Sequence, residues 1–347
     1  MSTAVENVVE VSHVNNTYTD SGLGIFSKQT KRQVLHDVCL TIRKDEFFGL
    51  VGESGCGKST LANAILGLIP YEGSIRVMGR ERSELDRFSF SSAVQAVFQD
   101  PASALNPRKT IGFTMREPLR AHKIGTRAEQ DAAVGSMLKK VGLNETYAAR
   151  YPGELSGGQK QRVCIGASLM LEPELIIADE AISALDVSVG AQILNLFQEI
   201  DTEKDFSMLF ISHNLDVVYY LCDRIAVMYC GHIVEMGTAE DVCQKTTHPY
   251  TKMLMAAVPG FGPPTTKTIA ETAEPLREEV PGACPFYARC RKATDACRSC
   301  PELINIAEPG EEEHLVRCVL AEKKAEEQQT AAQKQQEAAL SSQEEKA

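Results

Sequence analysis

Residues 52–60 read Gly-Glu-Ser-Gly-Cys-Gly-Lys-Ser-Thr, after the apolar run Phe47–Val51 and at the start of Lys58–Leu68, which has the composition of a helix. A glycine-rich loop between a strand and a helix is a phosphate cradle. Glycines let the backbone curl until its N–H groups point inward at phosphate oxygens, and the helix presents its N-terminus to the same charge. Gly52, Gly55 and Gly57 supply that freedom, with Glu53, Ser54, Cys56 and Thr60 completing the loop. In this Walker A reading Lys58 reaches the β- and γ-phosphates of a nucleotide, and the Ser59 hydroxyl holds Mg²⁺.

Working outward, Leu175-Ile-Ile-Ala-Asp179 is an apolar strand ending in a carboxylate, the Walker B pattern, which makes Asp179 a second group for Mg²⁺. Glu180 follows directly and is the candidate general base for an attacking water. Gln99 closes the strand Val94–Phe98, and His213 follows the apolar strand Met208–Ile211. Residues 155–162 read Leu-Ser-Gly-Gly-Gln-Lys-Gln-Arg. Ser156 caps a helix opened by Gly157, Gly158 and Gln159, whose N–H groups and dipole form an anion site with no phosphate of its own chain to serve.

The 347 residues are 43% hydrophobic and 24% charged, as in ordinary globular domains. No apolar run approaches the roughly 20 residues of a membrane span, and Met1–Glu10 has no basic start or apolar core, so no secretory signal is expected. A net charge of −11 speaks against binding a nucleic-acid backbone. Short strands are expected at Val8–Val14, Val34–Ile42, Phe47–Val51, Gly73–Met78 and Ala93–Phe98, and helices at Ile111–His122, Arg127–Val141 and Gly157–Leu171. Leu175–Asp179, Gly190–Glu203, Ser207–Ile211, Asn214–Leu221 and Ile225–Tyr229 then alternate strand and helix, which predicts an α/β fold with a mostly parallel sheet. Pro259–Thr268 reads as a connector and 321–347, rich in Ala, Glu, Gln and Lys, as a solvated tail.

Walker A followed by Leu155–Arg162 resembles the motif order of ATP-binding cassette (ABC) ATPases. The resemblance implies a P-loop NTPase cassette over residues 1–245. It would have a RecA-like core, an antiparallel β subdomain and a helical subdomain at about 100–165. It also implies that Asp179 holds Mg²⁺ through water, that Gln99 touches Mg²⁺ and the attacking water, and that His213 contacts the γ-phosphate. Ser156, Gly157, Gly158 and Gln159 would face the γ-phosphate bound by a second cassette. Asp186, in Ser183-Ala-Leu-Asp186, would couple the two sites. Tyr18 is the expected stacking partner of adenine, with Phe26 as its rival.

Three further stretches resemble the oligopeptide/dipeptide/nickel importer ATPases: Gln99-Asp-Pro-Ala-Ser-Ala-Leu-Asn-Pro-Arg108, His248-Pro-Tyr-Thr251 and Cys284-Pro-Phe-Tyr-Ala-Arg-Cys290. Two departures stand out: Ala181-Ile182 follows the catalytic Glu where the family has Pro-Thr or Pro-Val, and Gly166-Ala-Ser168 replaces Ala-Arg-Ala. The resemblance implies a partner ATPase (a paralogue), two transmembrane permease subunits and an extracytoplasmic substrate-binding protein. The chain would then sit on the cytoplasmic face of the cell membrane, held by the permeases. The rival reading is the ATPase of a soluble assembly such as a phosphonate carbon–phosphorus lyase complex.

Five of the eleven cysteines, Cys284, Cys290, Cys297, Cys300 and Cys318, lie in the segment 284–318 expected to form a C-terminal extension over 246–320. Without a secretory signal the expected compartment is reducing, which favours a metal site over disulfides. Gaps of five, six and twenty residues separate Cys284, Cys290, Cys297 and Cys318, wider than zinc knuckles use. That spacing suits an iron–sulfur cluster, and the family resemblance implies a 4Fe–4S centre there, with Cys300 as an alternative ligand. Zinc and metal-free thiols remain the other readings.

Overall fold

A computed structural model describes residues 6–20, 30–183, 185–201, 206–257, 277–278 and 280–321. Phe26, the connector 259–268 and the tail after Ala321 lie outside the described residues. The chain divides into two compact units, the first ending at Asp223 and the second beginning at Arg224, ahead of the residue 245 expected as the cassette boundary.

The first unit holds two sheets. Strands β1 (Asn7–Asp20) and β2 (Thr30–Arg43) form a long antiparallel ladder, and β3 (Phe47–Val51) leads into the glycine-rich loop and helix α1 (Lys58–Ile65). β4 (Glu72–Val77) and β5 (Arg80–Glu81) complete the antiparallel sheet in the order β2-β1-β4-β5. Val9 and Val11, alternating with Glu10 and Ser12, lie buried in β1, and Val8 beside them is buried as well. Both strands run farther than their apolar patterns suggest, because Asn16, Thr17 and Tyr18 pair with Leu35, Gln33 and Arg32. Backbone pairing, not side-chain pattern, carries that part of the ladder.

Helix α1 stops at Ile65, short of the expected Leu68, because Gly67 takes φ 69° and Leu68 N–H returns to the Asn63 carbonyl. Helix α2 (Arg87–Ala93), capped by Asp86, has no counterpart among the expected elements and precedes β6 (Val94–Val97). Then come α3 (Pro101–Ala104), α4 (Ile111–Ala121), α5 (Arg127–Lys140) and α6 (Gly157–Leu169). Thr110 caps α4, while Thr126 and Glu129 form a reciprocal capping box on α5. A Cβ on Gly166 would stand 2.9 Å from Met115 Cε, so glycine there lets α6 pack closely on α4.

Strand β7 (Leu175–Asp179), helix α7 (Val187–Asp201), strand β8 (Ser207–Ser212) and helix α8 (Leu215–Leu221) complete the unit. Strands β3, β8, β7 and β6 lie side by side in that order, every pairing parallel. β3 and β8 are buried along their whole length, as continuous apolar strands covered on both faces must be.

The second unit opens with a hairpin of β9 (Arg224–Tyr229) and β10 (His232–Thr238), turned through Cys230 and Gly231, which both have positive φ. Helices α9 (Ala239–Gln244) and α10 (Pro249–Ala256) follow. β11 (Ile304–Asn305) and β12 (Leu315–Val316) then extend the hairpin beside β10. Tyr229, Tyr250 and Phe286 stack as its aromatic centre, with ring centroids 4.5–5.4 Å apart. The segment 280–321 is thus packed against the hairpin of its own unit.

Candidate active site

The Lys58 side chain is buried, and its ammonium donates to the Gly52 carbonyl at 2.8 Å and the Glu53 carbonyl at 3.1 Å. The loop wraps around its own lysine. Gly57, at φ 113°, precedes α1, and no side chain caps that helix start. Its first-turn donors are left for an anion.

Asp179 ends β7 beside Ser59. Burial raises its pKa, against a hydrogen bond from Ser59; the charge of Glu180 raises it further and that of Lys58 opposes. Its Oδ1 is buried without a hydrogen-bond partner among the described residues. An orphaned carboxylate oxygen costs free energy unless something charged meets it. A hydroxyl and a carboxylate side by side form a hard oxygen donor pair, so Ser59 and Asp179 fit Mg²⁺.

Glu180 takes φ 49°, a conformation that costs a non-glycine residue of order 1–3 kcal/mol. The neighbouring backbone holds it there. Its N–H donates to the Ile211 carbonyl of β8 at 2.9 Å, and its carbonyl accepts from Ser183 N–H at 3.1 Å and Ser183 Oγ at 2.9 Å. Ser183 therefore closes the loop in which the family's proline is missing. The Glu180 carboxylate lies 3.4 Å from His213 Nδ1. His213 sits between β8 and Asn214, the N-cap of α8. Gln99 is exposed between β6 and α3, where Asp100 caps the short helix.

At residues 155–162 Ser156 Oγ accepts from Gln159 N–H while Gln159 Oε1 accepts from Ser156 N–H, a complete capping box on α6. Gln159 Nε2 donates to Tyr147 Oη at 3.1 Å. Gly157 is exposed, whereas a Cβ on Gly158 would stand 2.4 Å from Val189 Cγ1. Asp186 accepts from Val189 N–H at 2.9 Å at the start of α7. Tyr18 lies in β1 opposite Arg32, 44% exposed.

In the second unit Cys284, Cys290, Cys297 and Cys318 line one small cavity with His248 and Phe286. Burial pushes the Cys284 thiol up to about 12 and raises those of Cys290 and Cys318. Cys300 is not in that lining; its sulfur lies 4.0 Å from Arg317 Nη1. Among the described residues no three of these sulfurs come within 4.8 Å of one another. Tetrahedral zinc would need sulfurs about 3.8 Å apart. Four thiols facing one small cavity at wider separation do not match that geometry.

Sequence reasoning missed Glu235, which is fully buried in β10. Its carboxylate accepts from Thr246 Oγ1, Thr247 N–H, His248 N–H and His314 Nε2 at 2.7–3.1 Å. A lone glutamate in an apolar strand signals nothing until its donors, up to 79 residues away, are brought to it. The network explains His248-Pro-Tyr-Thr251 locally: His248 is buried and uncharged, its pKa pushed down to about 4 by burial, and its Nδ1 accepts from Tyr250 N–H.

Among the described residues no helix is long and apolar enough to cross a membrane. The family profile described as ABC transporter matches residues 35–183, and that of the oligopeptide/dipeptide transporter C-terminal region matches residues 234–297. The chain is 38% identical over 325 residues to the oligopeptide transport ATP-binding protein AppF of Bacillus subtilis, covering 91% of this chain and 98% of that one. It is 43% identical over 291 residues to the oligopeptide transport ATP-binding protein OppF of Escherichia coli, covering 81% and 86%. Among solved structures, a dimeric post-hydrolysis state of the ATP-binding cassette MJ0796 bound to ADP and Pi superposes with TM-score 0.58 at 28% identity, covering 67% of this chain and 98% of that one. The cbiO1 protein of Clostridium perfringens, part of an ABC transporter complex, gives 0.59 at 25% identity, covering 70% and 92%. The chain belongs to the ABC transporter family, in the branch of oligopeptide and dipeptide transport ATP-binding proteins, and is an ATPase.

Proposed function

We propose that this cassette powers uptake of a peptide or a related small solute, working as one of a pair of ATPases beneath two membrane permeases. The observation that carries the ATPase part is the meeting of Ser59, in the first turn of α1, with Asp179, Glu180 and His213 at the ends of β7 and β8. In this reading Lys58 exchanges its loop carbonyls for phosphate oxygens. Glu180 takes the proton of the attacking water, and His213 holds that carboxylate in place. Bound Mg²⁺, held by Ser59 and Asp179, neutralises charge on the phosphates. Gln99, exposed at the end of β6, reports permease contact to the site.

Ser156 and Gly157 present an exposed helix start, which suits an anion from outside the chain. The proposed pairing places it against the nucleotide of the second cassette, a paralogue of this one, with Asp186 at the junction. Tyr18 stacks on adenine. The permeases hold the cassette at the cytoplasmic face of the membrane, and an extracytoplasmic binding protein delivers the solute. The relatives found are transport proteins, which disfavours the soluble-assembly alternative. Four cysteines, Cys284, Cys290, Cys297 and Cys318, hold a 4Fe–4S cluster that clamps the second unit, with Cys300 as a bystander.

Reconstitution with the permeases in vesicles tests the transport reading. ATP turnover should rise when a peptide-loaded binding protein is added, and turnover indifferent to both permease and peptide would refute it.

A further inference from the structure

The ladder between β1 and β2 is irregular at several steps, with register shifts between Asn7 and Val9 and between Asn16 and Thr17 as well as around His13. Its register shifts between Val11 and Val14 and again between Val14 and Asn16, and His13 and Asp37 stand at φ 52° and 48°. Such backbone is held only where the surroundings over-determine it. Asn15 Oδ1 accepts from Asp37 N–H at 2.9 Å and from Gln33 Nε2 at 3.0 Å, while Asn15 Nδ2 donates to the His13 carbonyl at 3.0 Å. From the other side Gly73 lies so close that a Cβ there would stand 2.4 Å from the His13 carbonyl oxygen.

The kink brings three ligand atoms together. His13 Nδ1, Asp37 Oδ1 and Cys39 Sγ lie within 4.8 Å of one another, with 2.7 Å from His13 to Asp37 and 3.8 Å from His13 to Cys39. None of the three takes part in ATP hydrolysis. We propose that His13, Asp37 and Cys39 form a surface site for a borderline d-block divalent cation of the Zn²⁺ type.

A nitrogen, an oxygen and a sulfur donor select such an ion over Mg²⁺ or Ca²⁺, which take oxygen alone. Tetrahedral bonds to these atoms need donor separations of about 3.3–3.8 Å. The His13–Cys39 pair already meets that, and the His13–Asp37 pair must open by about half an ångström. Binding displaces the thiol proton and any proton shared between His13 and Asp37 to solvent, and leaves the fourth position to water. His13 N–H points at Cys39 Sγ from 3.2 Å and offsets the thiolate charge, as outer-shell donors do. The ion would tie β1 to β2 across the gap in their ladder.

The test is titration of the full chain with Co²⁺ alone, followed by Zn²⁺ displacement, in the parent and in a Cys290→Ser/Cys318→Ser background that disables the C-terminal cysteines. One equivalent showing thiolate-to-cobalt absorption should persist in that background and vanish on adding Cys39→Ser. Asp37→Asn, an exposed isostere that suits positive φ, should weaken the same equivalent at least tenfold. ATP binding unchanged in both variants shows that the fold is intact. A Cys39→Ser or Asp37→Asn protein that titrates like its parent overturns the site.

Discussion

Glu180 Oε1 lies 3.4 Å from His213 Nδ1, although the two residues end different parallel strands. Register between β7 and β8 sets this pair, since Asp179 lies opposite Ile211 and Glu180 N–H bonds the Ile211 carbonyl. The carboxylate proposed as the base therefore meets this imidazole through the backbone ladder.

Glu180→Gln should lower ATP turnover by on the order of 10²-fold or more while leaving ATP affinity within a small factor of the parent's. The amide keeps the shape of the loop but cannot take a proton. Steady-state hydrolysis and equilibrium nucleotide binding, measured side by side, separate the two effects. Near-normal turnover would remove Glu180 from its role.

Gly158→Ala should destabilise the first unit by about 1–3 kcal/mol, because the new methyl meets Val189 Cγ1 at 2.4 Å. Adding Val189→Ala should recover most of the loss, since it opens the space into which that methyl projects. Denaturant unfolding of the two single variants and the double variant measures this. Strictly additive destabilisation would show that the close packing of α6 on α7 is not the cause.

Glu235→Gln should cost the second unit roughly 3–5 kcal/mol, because an amide oxygen and an NH₂ replace two acceptors and leave buried donors unpaired. The same residue predicts acid sensitivity. Burial raises the Glu235 pKa, but hydrogen bonds from His314 and Thr247 outweigh it and hold the pKa below the ordinary carboxylate value. A depressed carboxylate stabilises the fold above its unfolded pKa, and that stability drains away as pH falls through the folded value. Protection factors of β10 amides, exchange rates divided into their intrinsic rates at each pH, should thus fall below about pH 4.5 in the parent and less so in Glu235→Gln. An equal fall in both proteins would exonerate Glu235.

Protein purified without oxygen should be coloured and carry about four irons per chain. Cys290→Ser should remove colour and iron and loosen the second unit, because cluster binding and local folding share one free energy. Cys300→Ser should leave both unchanged, since Cys300 does not line the cavity that the other four share. Colourless protein with stoichiometric zinc would replace the cluster but keep the clamp. Ordered protein with no metal at all would end both readings.

The sequence by itself determined what depends on neighbours in the chain. The loop of Gly52–Thr60, the apolar strands Phe47–Val51 and Leu175–Asp179, and the cap Ser156 were legible because their causes are contiguous: positive φ at glycine, a continuous apolar run, a hydroxyl three residues before its partner. The order of motifs sufficed for the family, and most element ends were legible to within a few residues. Tertiary structure decided which distant groups meet. It paired Glu235 with His314, set Gly158 against Val189, and gathered Cys284, Cys290, Cys297 and Cys318 around one cavity. It also kinked β1 and β2 so that His13, Asp37 and Cys39 converge. Each of these depends on strand register or helix packing, where a slip of one residue turns a side chain to the opposite face, and no local pattern of residue types records that choice.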